Sequence, residues 1–580
     1  MNQKSNQTSL FTLALALLVA PAFAAENPIT VFVAKRIITM DPGWPEGTAV
    51  AVRDGKILSV GSLADLQPWL KPDNHTINSQ FKDKILMPGF IEPHGHPILA
   101  STCYNLPSLS SLPVDNPYGP PVPGVKTIEE IANALGKYVA QAKSPDETVL
   151  TWGYDFIAMG SRHLDKTLLD KISATQPILV WDASEHYCYA NSAALKKYKV
   201  TKEDIAKHNI GAGADGEPNG QFLGVNALRR IMQEPLNQLL QPAVAFKNVR
   251  YLMDLSRQNG ITTTSDLTYG GIDLTMEQFV NNKYFNDPAS PMRVVQMADT
   301  TAFTALKGDQ AVAFVESLTK SNTDRIILNG AKVFADDAYL SHSMKMTSPA
   351  YIDGSEGVWV TPPEKMVALW LPWWKSSLQM HAHSNGDAAN TATLNALAEL
   401  QKVQPRFDHR FTLEHLGIST PDQIMRVKAL GALLSVNPYF LYNRAAFSAP
   451  HIGERALINP RLKTMADAGV ITALHSDSPV GPPKPLEMAW IAANRLLRSG
   501  KVCAPDERVS VDQALRMITI NAAYVLGMDS KIGSIVTGKF ADFTVLEQDP
   551  YAVAKEKIKD IKVWGTVSGG RVFPASEIHE

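Results

Sequence analysis

The chain has 580 residues, 45% of them hydrophobic and 19% charged, with a formal net charge of −2. That length can bury a large core, and it points to one large domain with appendages rather than several equal ones. A nearly balanced charge with no basic cluster argues against a nucleic-acid partner, and beyond the N-terminus no run reaches the ~18 apolar residues of a membrane anchor.

Residues 1–24 read as a signal peptide: Lys4 is the one early charge, an apolar stretch runs from Leu10 to Ala20, and Ala22-Phe23-Ala24 offers a small-residue cleavage site. The mature chain then begins near Ala25, carries 54 basic against 57 acidic side chains, and is expected to be periplasmic or secreted. No cysteine lies near the cut, which argues against a lipid anchor. Cys103, Cys188 and Cys503 are too few for a disulfide framework. Cys103 and Cys188 can be read as a pair or as buried free thiols.

Strand-like alternation marks residues 29–33, 37–40, 49–52 and 57–60, and the far end answers with 540–546, 561–567 and 571–573. These predict a small β-sandwich domain built from both termini, residues 25–85 and 531–580. Between them the apolar run 85–91 leads into Pro93-His94-Gly95-His96. Residues two apart share a face of a strand, so Glu92, His94 and His96 are expected to project together, as two imidazoles closing on one metal would.

Further strand-like runs follow at 260–266, 292–297, 330–336, 378–383, 411–415, 432–436 and 471–477. Helix-length segments such as 389–403 and 421–430 separate them. Eight strands alternating with helices predict an α/β fold, a parallel (β/α)₈ TIM-like barrel over residues 86–530, with its site at the carboxyl ends of the strands. His383, His415 and Asp477 each end one of these runs. Residues 97–255 are too many for a connecting loop and predict an inserted α+β subdomain after barrel strand 1. Its part 106–125 reads as an ordered loop or lid, followed by a helix and by strands near 148–152 and 178–181.

Each position has a plainer alternative. Lys332 can be a core lysine paired with Asp336 or Asp337, although an apolar strand end is a costly place for an unpaired ammonium. By the period of two, His381 shares a face with His383, and His475 with Asp477. Trp370, Trp373 and Trp374 read as helix packing.

Taken together, these residues resemble the amidohydrolase superfamily, in the YtcJ-like subgroup that includes N-substituted formamide deformylase and the exoenzyme regulatory protein AepA. The matching elements are Met87-Pro88-Gly89-Phe90-Ile91 before His94-Gly95-His96, Lys332-Val333-Phe334 before Asp336, and His383-Ser384-Asn385-Gly386-Asp387. Others are Glu414-His415, Ser476-Asp477-Ser478-Pro479, and Gly533-Ser534 through Gly538-Lys539-Phe540-Ala541-Asp542. The resemblance implies two divalent ions, zinc first among them. His94 and His96 would hold the buried ion, His383 and His415 the second, and a carbamylated Lys332 would bridge both. Asp477 would bind the buried ion and carry the proton, with a metal-activated hydroxide as nucleophile. On the same resemblance His381 and His475 lie deeper, behind the ligands.

In the insertion, Trp181-Asp182-Ala183-Ser184-Glu185-His186 and Asn191-Ser192-Ala193-Ala194-Leu195 resemble subgroup elements that make His186 a catalytic and substrate-binding candidate and Asn191 a substrate-binding one. Ser184-Glu185 stands where Asp-Gly is usual, and Gly224 where Glu is frequent. The expected activity is hydrolysis of a C–N bond in a small-molecule amide, N-substituted formamide, carbamate or cyclic amide. A non-catalytic ligand-binding or regulatory homologue and a heterocycle deaminase are the alternatives, and a homo-oligomer is compatible with the chain.

Overall fold

The computed structural model describes residues 27–577, so the expected signal peptide lies outside the described residues. Eight strands form one sheet in which every neighbouring pair is parallel: β1 (Phe90–Glu92), β2 (Ile261–Tyr269), β3 (Arg293–Asp299), β4 (Ile326–Phe334), β5 (Gln379–Ser384), β6 (Thr412–His415), β7 (Leu433–Val436) and β8 (Thr472–Leu474). Their side chains are almost all buried, as expected for parallel strands covered by helices on the outside.

Helices such as Asp387–Val403 and Pro421–Ala429 follow the strands. The second starts where it does because Thr420 caps it, Gln423 returns the capping bond and Pro421 opens the first turn. No helix among the described residues is long and apolar enough to cross a membrane.

The barrel closes between β1 and β8 through their loops. Asp477 N–H donates to the His94 carbonyl at 3.1 Å, and His96 N–H donates to the Ser478 carbonyl at 3.0 Å. The Glu92 carboxylate accepts from Ser476 N–H at 3.0 Å and from its hydroxyl at 2.6 Å. The first and last strands are thus joined by the segments that carry the candidate ligands.

One expectation about β1 is corrected. The apolar run 85–91 is not one strand. Strand His75–Pro88 belongs to another sheet, Gly89 turns the chain, and only Phe90–Glu92 enters the barrel. A β-carbon at Gly89 would lie 1.9 Å from Thr262 Oγ1, so only glycine lets the chain cross there. His94 and His96 therefore stand in the loop after β1, not on one strand face. Glu92 points to Ser476 instead of sharing their direction.

Strands from both ends of the chain meet in a seven-stranded sheet, ordered Arg571–Pro574, Val563–Ser568, Phe543–Leu546, His75–Pro88, Ile29–Ile38, Glu46–Arg53 and Lys56–Gly61. All its pairs are antiparallel except Ile29–Ile38 with His75–Pro88. A buried ion pair, Arg293 to Asp542 at 2.6 Å, ties this sheet to β3.

The segment after β1 carries a five-stranded sheet in the order Val149–Tyr154, Ile178–Asp182, Tyr187–Ala190, Pro218–Leu223, Ile210–Ala212, with flanking helices. The last three strands escape the sequence reading, the final two because the stretch Gly211–Gly220 is rich in Gly, Asn, Asp and Pro and reads as turn. The 106–125 loop is ordered, with Leu109 N–H on the Trp152 carbonyl at 2.8 Å and Val114 paired with Val122. All three cysteines are buried and free.

Candidate metal centre

The carboxyl ends of β1, β4, β5, β6 and β8 bring six expected residues together: His94, His96, Lys332, His383, His415 and Asp477. Asp477 Oδ1 lies 3.3 Å from His94 Nε2 and 3.2 Å from His96 Nε2. The far side of each ring is already held, His94 Nδ1–H by Glu414 Oε2 at 2.7 Å and His96 Nδ1 by Thr268 Oγ1 at 3.0 Å.

With His94 neutral, its Nε2 lone pair faces the Asp477 carboxylate oxygen with no proton between them. Such a set of converging acceptors is repulsive until a cation sits among them, which is the chemistry of a metal site. Lys332 Nζ is 3.4 Å from His94 Nε2. On the other side, His415 Nε2 lies 3.0 Å from His383 Nδ1, and His415 Nδ1 lies 3.1 Å from His475 Nε2. Among the described residues, two groups offer ligand atoms within 4.8 Å of one another: His94, His96 and Asp477, and His94, His415 and His475.

Electrostatics agree with this geometry. Burial, reinforced by the Lys332 charge, holds the His94 imidazole well below its ordinary range and takes His383 down to about 4. Burial likewise lowers His415, and takes His475 down to about 4. Neutral imidazoles are the form that binds metal. Burial works against ionisation of Asp477, but any proton carried by His94 or His96 sits directly beside it and holds the carboxyl below the usual range.

Lys332 is buried and lowered to about 8 by that burial. Its plainer reading loses support. Asp336 accepts instead from the backbone N–H groups of Lys345, Asn385 and Gly386 at 2.8–2.9 Å, and Asp337 pairs with His186. Among the described residues no carboxylate lies within ion-pair distance of Lys332.

His186, from the insertion, reaches the barrel mouth. Its Nδ1 is 2.5 Å from Asp337 Oδ1, and the Asp337 carbonyl lies 3.3 Å from His383 Nε2. Against the pull of burial, Asp337 raises the imidazole; the same contact holds the Asp337 carboxyl at about 2 in spite of its burial.

Asn191 does not act with His186, and the expectation of a substrate contact is corrected. Its Oδ1 accepts from Ile178 N–H and Ala194 N–H, both at 2.9 Å, and its Nδ2 donates to the Ser173 and Gln176 carbonyls, both at 2.8 Å. The side chain is fully buried and fully used as the N-cap of helix Ser192–Lys197.

Sequence reasoning missed the part played by Glu414, whose second oxygen accepts from His381 Nδ1–H at 2.6 Å. His475, read as lying behind the ligands, is fully buried with its Nδ1 2.7 Å from Ser435 Oγ, and it also stands in one of the two groups whose candidate ligand atoms lie within 4.8 Å of one another. The spacing of two between His475 and Asp477 carried that signal; nothing local announced the pairing of Glu414 with His94.

With this geometry in view, the sequence pattern of the Amidohydrolase family matches residues 81–574. The chain belongs to the amidohydrolase family. This amidohydrolase is 28% identical over 549 residues to N-substituted formamide deformylase of Arthrobacter pascens, covering 90% of this chain and 94% of that protein. It is 26% identical over 554 residues to Protein LONG AFTER FAR-RED 3 of Arabidopsis thaliana, with 93% and 90% covered. In fold it is similar to an uncharacterized metal-dependent hydrolase from Pyrococcus horikoshii OT3, with a TM-score of 0.69 at 18% identity over 91% of this chain and 99% of that one. Family membership makes it a hydrolase acting on carbon–nitrogen bonds.

Proposed function

We propose that this amidohydrolase is an exported enzyme that cleaves the C–N bond of a small amide, N-substituted formamide, carbamate or cyclic amide. The observation that carries the reading is the Asp477 carboxylate set between the Nε2 atoms of His94 and His96, with His383, His415 and Lys332 beside them.

His94, His96, His383, His415 and Asp477 would hold one or two divalent ions, zinc first among the candidates, with His475 close enough to join them. An ion bound there polarises a carbonyl and brings the pKa of water from ~16 towards ~7. Lys332, buried and without a carboxylate in ion-pair distance among the described residues, would react with CO₂ and turn from an ammonium into an anionic oxygen donor towards the ions.

The remaining work falls to the protein's own groups. Glu414 fixes the proton of His94 on Nδ1 and keeps Nε2 turned inward. Asp477, ionised at neutral pH, can take a proton from an attacking water at its carboxylate and pass it to the departing nitrogen. His186, whose imidazole Asp337 raises towards its protonated form, would offer an N–H from the insertion to the carbonyl oxygen under attack, where negative charge gathers.

The test is elemental analysis of the purified mature protein, with Lys332→Ala and Asp477→Asn variants assayed on a panel of N-formyl and N-acyl amines. One to two ions per chain, fewer in the lysine variant, and activity lost with Asp477→Asn are the expected results. A metal-free protein that stays inactive after reconstitution with zinc and bicarbonate would overturn the reading.

A further inference from the structure

His94 is common to both groups of candidate ligand atoms, yet it has only one nitrogen to give. Its Nδ1–H is spent on Glu414 Oε2 at 2.7 Å, which leaves the single Nε2 lone pair. That lone pair can serve an ion with His96 and Asp477 or an ion with His415 and His475, but not both. The first group contains a carboxylate, whereas the second offers only neutral imidazoles, and a divalent cation is drawn to the anionic set. His475 then loses the partner that would make it a ligand.

What remains to His475 is a place in a buried row of hydrogen-bonding groups. Its Nε2 lies 3.1 Å from His415 Nδ1, and its Nδ1 lies 2.7 Å from Ser435 Oγ on β7. His475 and Ser435 are both closed to solvent, and the backbone N–H of His475 donates to the Val436 carbonyl at 3.0 Å. Glu414 Oε2 stands 3.8 Å from His475 Nδ1, so a proton on Nδ1 faces an anionic oxygen, while a lone pair there would be repelled by it. With that proton donated to Ser435, the Nε2 lone pair is turned to His415. His415 meets it with Nδ1–H, a choice also favoured by Asp477 Oδ2 at 3.8 Å. The His415 lone pair is thereby left on Nε2, 3.0 Å from His383 Nδ1. A neutral imidazole has one lone pair, so no other tautomer of His415 turns it to His383.

We infer that His475 and Ser435 are positioning residues for the His383–His415 pair: they fix the tautomer that turns His415 Nε2 towards His383, and His475 itself is not a ligand. The inference rests on the metal reading given above. It parallels the hold of Glu414 on His94, with one difference. Glu414 is an anion and makes its histidine more basic, whereas His475 is a neutral acceptor, so an ion on His383 and His415 is expected to be bound more weakly than one beside Asp477.

Zinc titrated into the metal-free protein against a chelator of known affinity tests this without turnover, with circular dichroism confirming that each variant is folded. His475→Gln keeps an acceptor where Nε2 stands and removes the imidazole, and should bind the last zinc taken up within about threefold of wild type. His475→Leu removes the acceptor and should weaken that zinc about thirtyfold, while Ser435→Ala, which loses one hydrogen bond, should weaken it about fivefold. NMR of isotope-labelled histidines reads the tautomers directly. In the wild type His475 is expected to keep its proton on Nδ1 with and without zinc, and its Nε2 to show no shift of a metal-bound nitrogen. The inference is overturned if the glutamine variant loses as much affinity as the leucine variant, if His475 Nε2 takes the shift of a zinc-bound nitrogen, or if His475→Leu and Ser435→Ala bind zinc as the wild type does. A wild type that takes up no zinc defeats the metal reading and this role with it, whereas normal zinc binding in every variant defeats the positioning role alone.

Discussion

Glu414 stands behind the candidate metal centre, where it would set the basicity of His94, and replacing it has a calculable cost. Both carboxylate oxygens are used, by His94 Nδ1–H at 2.7 Å and by His381 Nδ1–H at 2.6 Å, in a place closed to solvent. In Glu414→Gln the amide oxygen can keep His94, and the amide NH₂ then faces His381. That ring can move its proton to Nε2, which has no partner to lose. Geometry at His94 survives and only the charge behind it disappears. Metal affinity is therefore expected to fall about tenfold, or ~1.4 kcal/mol. Glu414→Ala also frees the His94 ring and its tautomer, and should cost about a hundredfold, or ~2.7 kcal/mol. Competition with a chelator of known affinity measures both, with circular dichroism confirming that each apoprotein is folded. Wild-type affinity in both variants, or a weaker glutamine than alanine variant, would refute the role given to Glu414.

Gly386 allows no side chain, since a β-carbon would lie 1.9 Å from the Lys345 carbonyl oxygen, in a residue whose own N–H is held by Asp336. Gly386→Ala should destabilise the protein by about 3 kcal/mol, seen as a lower thermal midpoint; an unchanged midpoint would contradict the packing. The Asp337–His186 pair makes stability depend on pH from two sides. The carboxyl, lowered from 3.8 to about 2, contributes above pH ~4 and is lost as pH falls towards 2, while the imidazole, raised above 6.5, contributes below that value and is lost as pH climbs past its folded pKa. The stability gap between wild type and Asp337→Asn should thus be widest between about pH 4 and 6.5, on the order of 2 kcal/mol, and narrow on both sides. A gap that is flat with pH would rule the pair out as its source. Chelation of the loaded enzyme should lower its thermal midpoint, because an ion at a hundred times its dissociation constant adds ~2.7 kcal/mol to the native state. Identical melting curves with and without chelator would place the metal outside the folded site.

The barrel was legible because parallel strands buried on both faces are written as apolar runs, and each of the eight expected runs overlaps or abuts an observed strand. Periodicity could not show that the run around Gly89 changes sheets, because the pattern is unbroken there and the turn follows from the approach of Thr262. The site was legible at strand ends, where His383, His415 and Asp477 interrupt apolar sequence. It was illegible where partners are distant: Glu414 and His94 are 320 positions apart, and Asp337 meets His186 from another sheet. Asn191 misled for a local reason. Asn-Ser before a short helix is first of all a capping signal, and the cap uses every hydrogen bond the amide has.

The seam between β1 and β8 bears on how the protein is made. Glu92 and Ser476 are 384 positions apart, so the loop carrying His94 and His96 is synthesised long before the loop carrying Asp477. A nascent chain still emerging from the ribosome has its first two imidazoles but neither the carboxylate between them nor the backbone bonds that hold their loop. Hydrolytic competence and barrel closure are therefore one event, and it comes near the end of synthesis. A chain that stops short of Asp477 is expected to lack hydrolytic activity.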